Sequence, residues 1–232
     1  MTEIEEYHVP RTLEELTRIL ADREAVLLAG GTDLMPQFQA GNWTHISTLI
    51  NIRRIFELYG ITESDGVIRI GALTTITAIR ENELLREKAD VLSQAADCFA
   101  GTQIRNIATI GGNICHASPA ADMVIPLLLL NAELRLASWS DGRVTLRSMP
   151  LCDFFVAPGE TRLRAGEVLK GIEFQVPDPA AVGVFRKLGT RPALDIAVVS
   201  VGILGIKDNG SLRDVRAAFG AVAPTPFRGR VT

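Results

Sequence analysis

The chain is poor in cysteine, in clustered positive charge and in long apolar runs, and each shortage removes a class of function. Its three cysteines, Cys98, Cys115 and Cys152, are odd in number and widely spaced, which argues against a disulfide framework. They also lack the short Cys or His spacings from which structural zinc and iron–sulfur sites draw their ligands. Cys115 and His116 are adjacent, but neighbours on a strand point to opposite faces, so the pair is read as structural. The net charge of −3 and the pI near 5.7 argue against a nucleic-acid or anionic-membrane binder, and Arg53-Arg54 is too small to form a basic patch. The N-terminal MTEIEEYHVP is acidic and has no basic-then-apolar signal pattern, so a cytoplasmic location is expected. The apolar run ending at Leu130, interrupted by Pro126, falls far short of the roughly 20 residues a bilayer span needs. Neither G-x-G-x-x-G nor a G-K-[ST] phosphate loop occurs, and there is no internal repeat or low-complexity tract.

What remains is an ordinary globular composition: 232 residues, 47% hydrophobic and 22% charged, enough for one large domain or two modest ones. Thr12-Leu-Glu-Glu15 has the form of a capping box, and Leu13, Leu16 and Leu20 continue it as a helix over about 12–21. A short buried strand at 25–29 runs into Gly30-Gly31-Thr32-Asp33 and a helix over 34–40. This strand, glycine turn and helix resemble a phosphate cradle, in which free N–H groups at a helix start converge on an anion. On those residues alone, the plainer reading is a tight turn whose helix is capped by Thr32 or Asp33.

Further strands are expected at 49–52 and 67–72, with a helix over 75–82 and a longer amphipathic helix over 83–96. Residues 103–106 read as a polar link. The stretch Ala108 to Asp122, A-T-I-G-G-N-I-C-H-A-S-P-A-A-D, gathers two glycines, an Asn, a Ser-Pro turn and a carboxylate ahead of a buried helix from Met123 to Leu130, which Asp122 would cap. A hairpin over 132–147 turns at Ser140-Asp141-Gly142, a short helix is expected at 151–156, and a strand at 168–176. After the Pro177-Asp178-Pro179 junction come strands at 182–188, 196–207 and 212–221, with Asn209-Gly210 as a turn, and then a tail ending in Gly229-Arg230-Val231-Thr232. Three strands with no following helix leave an apolar face to cover, so a truncated chain or a covering partner is expected.

Taken together, A-G-G-T-D-L-M-P at 29–36, F-A-G-T-Q-I-R-N-I-A-T-I-G-G-N-I at 99–114 and S-P-A-A-D at 118–122 resemble the FAD-binding medium subunit of molybdenum hydroxylases, the xanthine dehydrogenase and carbon monoxide dehydrogenase family. The likeness runs from about Tyr7 to Pro226. It implies an α+β fold of the vanillyl-alcohol oxidase and cell-wall-reductase (PCMH) type, divided into an αβ subdomain at 1–56, a second αβ subdomain at 57–176 and an incomplete β-rich C-terminal domain at 177–232. It also implies FAD as cofactor. The implied partners are a molybdopterin-containing large subunit and a [2Fe-2S] small subunit, with NAD, quinone or oxygen as final acceptor; no membrane span and no nucleic acid enter this picture. A free-standing flavin oxidoreductase and a non-catalytic structural subunit are the alternatives.

Residue by residue, the resemblance assigns Ala29, Gly30, Gly31, Thr32, Asp33 and Leu34 to the loop holding the FAD pyrophosphate, with Asp33 as a cap or anchor. Thr109, Gly112, Asn113 and His116 fall in the second cofactor loop; His116 stands where relatives often carry Thr or Asn. Phe99, Ala100, Ala121 and Asp122 are expected to line the cofactor, and Leu169 to pack beside the isoalloxazine. Lys187 and Asp195, in F-R-K-L-G-T-R-P-A-L-D, lie near the flavin, where a cation would stabilise an anionic reduced ring.

Overall fold

The structure, a computed structural model, describes residues 4–41, 47–191 and 194–229. Pro192 and Ala193 of the Lys187–Asp195 segment, and the terminal Arg230, Val231 and Thr232, lie outside the described residues.

The chain begins with β1 (Glu6–His8), α1 (Leu13–Asp22), β2 (Val26–Leu28), α2 (Leu34–Gln39) and β3 (Thr48–Asn51). The three strands form a parallel sheet in the order β1-β3-β2. Thr12 Oγ1 accepts from Glu15 N at 3.1 Å, as the sequence leads one to expect. Glu15 reaches back to Arg11 N at 2.7 Å rather than to Thr12, and Glu57 accepts from Leu13 N at 2.7 Å, so orphan donors of the first turn are met partly from outside the helix. Leu13, Leu16 and Leu20 face Ile50, Ile52, Ile55 and Leu58 in a small core that also takes in Ala137 and Val168.

Next come β4 (Ile61–Ser64), β5 (Val67–Gly71), α3 (Ile76–Glu81), α4 (Glu83–Lys88), α5 (Asp90–Cys98), α6 (Thr102–Arg105), α7 (Ile110–Cys115), α8 (Val124–Leu129), β6 (Glu133–Ser140) and β7 (Arg143–Pro150). A 3₁₀ turn at Leu151–Asp153 leads to β8 (Phe155–Ala157), β9 (Glu160–Thr161) and β10 (Val168–Gln175). An antiparallel sheet runs β4-β5-β10-β6-β7, with β8 and β9 as a separate ribbon. The β6–β7 turn places Asp141 and Gly142 at φ 53° and 74°, both positive as a two-residue hairpin of this twist requires.

Five local expectations are corrected here. The single helix over 83–96 is two, because Ala89 leaves helical geometry (φ −143°, ψ 46°). Residues 103–106 fall mostly within α6, and 151–156 holds only the 3₁₀ turn before β8. Cys115 and His116 end a helix rather than lie on a strand. Met123, not Asp122, occupies the N-cap position of α8, and no side-chain cap bond is made there.

The remaining strands, β11 (Ala181–Leu188), β12 (Val199–Asp208), β13 (Ser211–Gly220) and β14 (Phe227–Arg228), form an antiparallel sheet in chain order, so a short fourth strand joins the expected three. α8 is buried along its whole length and packs on β12 and β13. Two side chains tie this sheet to the helices. Gln94 on α5 accepts from Phe185 N at 3.0 Å and donates to Gly183 O at 3.2 Å, and so acts as a backbone partner for the edge of β11. Arg216 donates to Leu129 O at 3.0 Å, closing the end of α8. Among the described residues, no helix is long and apolar enough to cross a membrane.

Candidate functional site

The first glycine turn links β2 to α2. Gly31 has φ +75°, a value that only glycine adopts freely, and its carbonyl accepts from Met35 N at 3.0 Å to open the helix. Among the described residues, the N–H groups of Gly30, Gly31, Thr32 and Asp33 have no protein acceptor. The turn is held from behind by Arg53, which follows β3. Its Nε donates to Ala29 O and its Nη2 to Gly30 O at 2.7 Å. Both carbonyls thus face the guanidinium, and the neighbouring donors are left for a ligand.

The second loop is a short helix instead of an open turn. Thr109 caps α7, its Oγ1 accepting from Gly112 N at 3.1 Å. Ile110 N and Gly111 N donate to Thr74 O and Ala72 O, and Asn113 N donates to Thr109 O. Its first-turn N–H groups are therefore already engaged. What it can offer a ligand is the exposed Gly112 backbone and the side chain of Asn113, whose buried Oδ1 has no partner.

The two loops touch through Gly30. A Cβ there would collide with Ile107 O and lie 3.0 Å from Ala108 Cα, so only glycine lets the loops close on each other. His116, after α7, places Nδ1 3.0 Å from Asp33 Oδ2 and so joins the loops a second time.

Phe99 and Ala100 follow α5, with Ala100 at φ 35°. Arg105 donates to both of their carbonyls, at 2.7 and 2.9 Å, and its buried Nε has no partner. Ala121 and Asp122 are buried just before α8. Lys187 Nζ on β11 donates to Asp122 Oδ2 at 2.7 Å and to Cys98 O at 3.3 Å; the Lys187 and Asp122 side chains are only 8% and 7% exposed. Burial pushes the Asp122 carboxyl above its ordinary value, and the bond and charge of Lys187 work against that rise. Asp122 Oδ1 is buried without a partner. Leu169 lies on β10 beside a register shift between Leu169 and Gly171, and its side chain is buried in the main core. Asp195 turns back on its own loop, accepting from Arg191 N at 2.8 Å, and this hydrogen bond contributes most to holding its carboxyl below the usual range.

Free donors on one turn, an exposed glycine on the other and two orphaned buried oxygens make a donor and acceptor set that fits an elongated polar ligand with an anionic middle, as FAD is. Arg53 and Arg105 are the residues that sequence reasoning missed, Arg53 having been considered only as part of a basic pair. Each acts on a carbonyl rather than on a charge, so no charge pattern marks it. For Arg53, lysine would keep the charge and lose the fork. Arg53→Lys is expected to weaken FAD binding about tenfold, since hydrogen bonds from a charged group contribute roughly 1.5–3 kcal/mol each. A fluorescence titration of the apoprotein checks this.

Cys115 is half-buried against the main core, and burial pushes its thiol up to about 12, far from a reactive thiolate. Among the described residues, no group of three or more His, Cys, Asp or Glu side chains is placed to hold a metal ion.

Residues 2–179 match the family described as FAD binding domain in molybdopterin dehydrogenase. The xanthine dehydrogenase FAD-binding subunit of Escherichia coli O157:H7 is 37% identical over 233 residues, covering 98% of this chain and 77% of the relative. The carbon monoxide dehydrogenase medium chain of Hydrogenophaga pseudoflava is 32% identical, covering 96% of this chain and 76% of the relative. A solved structure of carbon monoxide dehydrogenase from Hydrogenophaga pseudoflava superposes with a TM-score of 0.92 at 30% identity, over 98% of this chain and 78% of that one. Quinoline 2-oxidoreductase from Pseudomonas putida 86 gives 0.88 at 29% identity, over 98% and 76%. Fold, loops and relatives agree: the chain belongs to the family of FAD-binding domains of molybdopterin dehydrogenases, the flavoprotein subunits of molybdenum hydroxylases, and its cofactor is FAD.

Proposed function

We propose that this chain is the electron-transfer subunit of a molybdenum hydroxylase complex, taking electrons from [2Fe-2S] clusters of a small subunit and passing them to a final acceptor such as NAD, quinone or oxygen. In this reading a molybdopterin-containing large subunit oxidises the organic substrate. The observation that supports it is the meeting of the two glycine loops at Gly30 and Ile107, together with N–H groups of residues 30–33 that have no protein acceptor among the described residues.

FAD, when bound, supplies the two-electron chemistry that joins single-electron donors to a pair-accepting partner. The chain's own residues bind, orient and tune. The N–H groups of Gly30 to Asp33, backed by the start of α2, would hold the pyrophosphate, with Ala29 and Leu34 as the flanks of that loop. Gly112 lets the main chain approach the ligand, Asn113 supplies a directed hydrogen bond, and Thr109 keeps α7 in place for both. Phe99, Ala100, Ala121 and Leu169 would exclude water from the ring side. Lys187 and Asp122 would set the local charge. We further read residues 1–56 and 57–176 as the two halves that hold the cofactor, with 177–232 as part of a C-terminal domain that carries Lys187 to the site.

Purification under native conditions with neighbouring gene products tests this reading. A flavin spectrum, together with co-purifying chains that contain molybdenum and iron, is the expected result. A colourless protein that takes up no FAD, or a flavoprotein with no metal-bearing partner, would overturn it.

A further inference from the structure

Asp33 stands at the start of α2, where a carboxylate ordinarily caps first-turn N–H groups, yet it makes no such bond. Its Oδ2 instead accepts from Gln37 Nε2 at 2.6 Å and lies 3.0 Å from His116 Nδ1. A negative charge is thereby placed in the same turn whose free N–H groups are read as a diphosphate cradle, where it would repel the ligand. Gln37 is neutral, and Arg53 is turned to the carbonyls of Ala29 and Gly30. Among the described residues, His116 is the side chain at ion-pair distance from Asp33. An imidazole N–H offsets a carboxylate's charge whether or not the ring carries its second proton.

We propose that His116 is a positioning residue: it does not hold the diphosphate directly but masks Asp33, and in doing so latches the second loop to the first. The pairing explains why a carboxylate is tolerated there. The latch and the Gly30–Ile107 contact join the same two segments. The inference rests on the reading of these loops as the FAD cradle.

The test titrates the whole apoprotein with FAD, reading flavin fluorescence, for the native chain and for His116→Ala, Asp33→Asn and the double variant. His116→Ala should bind about fivefold more weakly, the scale of a half-exposed ion pair. The double variant should return to within about twofold of the native chain, because the unmasked charge has gone. The loss in His116→Ala should also fade between about 0.05 and 0.5 M salt, which a packing defect would not do. Equal affinity in His116→Ala, a double variant as weak as the single, or a loss indifferent to salt overturns the proposal. Failure of the native chain to bind FAD would instead defeat the cradle reading beneath it.

Discussion

Lys187→Met is expected to lower stability by about 3–5 kcal/mol, because it leaves the Asp122 carboxylate buried and alone. For a chain of this size that is a fall of roughly 6–20 °C in Tm. The geometry leaves little room for relief. Asp122 Oδ2 has Lys187 at 2.7 Å as its donor, and Oδ1 already lacks one. The pH dependence has a definite sign. Burial raises the carboxyl's folded pKa above its ordinary 3.8, so the folded state binds more protons than the unfolded state in the window above 3.8. Stability therefore drops as pH rises through that window, and without Lys187 to oppose the shift the deficit of Lys187→Met should widen with pH and shrink on acidification. Adding Asp122→Asn should recover most of the loss. Thermal melts at several pH values measure all three effects, and a variant that melts with the native chain would show that the pair carries no stability. If Lys187 also faces the ring, the flavin-loaded variant has a lower reduction potential, since a nearby positive charge is gone.

Gly112→Val should abolish flavin binding while stability barely moves, whereas Gly111→Ala should cost stability. The two glycines are adjacent and differ in what surrounds them. A Cβ on Gly111 would lie 2.6 Å from Ala72 O and 2.8 Å from Ala72 Cβ, and the same glycine's N–H donates to that oxygen. Backbone cannot swing aside as a side-chain tip can, so a loss of about 3 kcal/mol follows from overpacking alone. A Cβ on Gly112 meets only Thr109 Oγ1, at 3.0 Å, and then opens to solvent. Valine is no worse than glycine inside a helix, so the Tm of the apoprotein should move by no more than a few degrees. Flavin content after reconstitution, read beside a melt of the apoprotein, separates the outcomes. Full flavin content in Gly112→Val would remove this loop from the cradle.

The legible parts of the fold were those with local causes. Thr12 with Glu15, Asp141-Gly142 and Asn209-Gly210 each act within a few residues, and the elements they bound appear within three residues of where the pattern puts them. The break at Ala89 was not legible, since Lys88-Ala89-Asp90 contains no breaker and the split follows from how α4 and α5 pack. Strands β1, β4 and β14 are short edges whose partners define them. The stretch around Gly111 and Gly112 read as a turn because two glycines disfavour a helix, but donation from Ile110 and Gly111 to Thr74 and Ala72 sets the first turn of α7 from outside. For the site, the glycine loops stood out from their own residues, and only their assignment to FAD came through resemblance. Arg53 was out of reach because its targets lie 23 and 24 positions earlier and are brought near only by the parallel pairing of β2 with β3.

The distance along the chain between contacting parts of the site also orders events in time. Gly30 rests on Ile107, and Lys187 reaches Asp122 across 65 positions, whereas the hairpins close over two-residue turns. Loop-closure entropy must be overcome before such distant contacts return any free energy, so the hairpins form early and the cradle late. On the proposed reading, FAD would need those distant contacts in place before it could bind, so flavin content would serve as a gauge of completed folding.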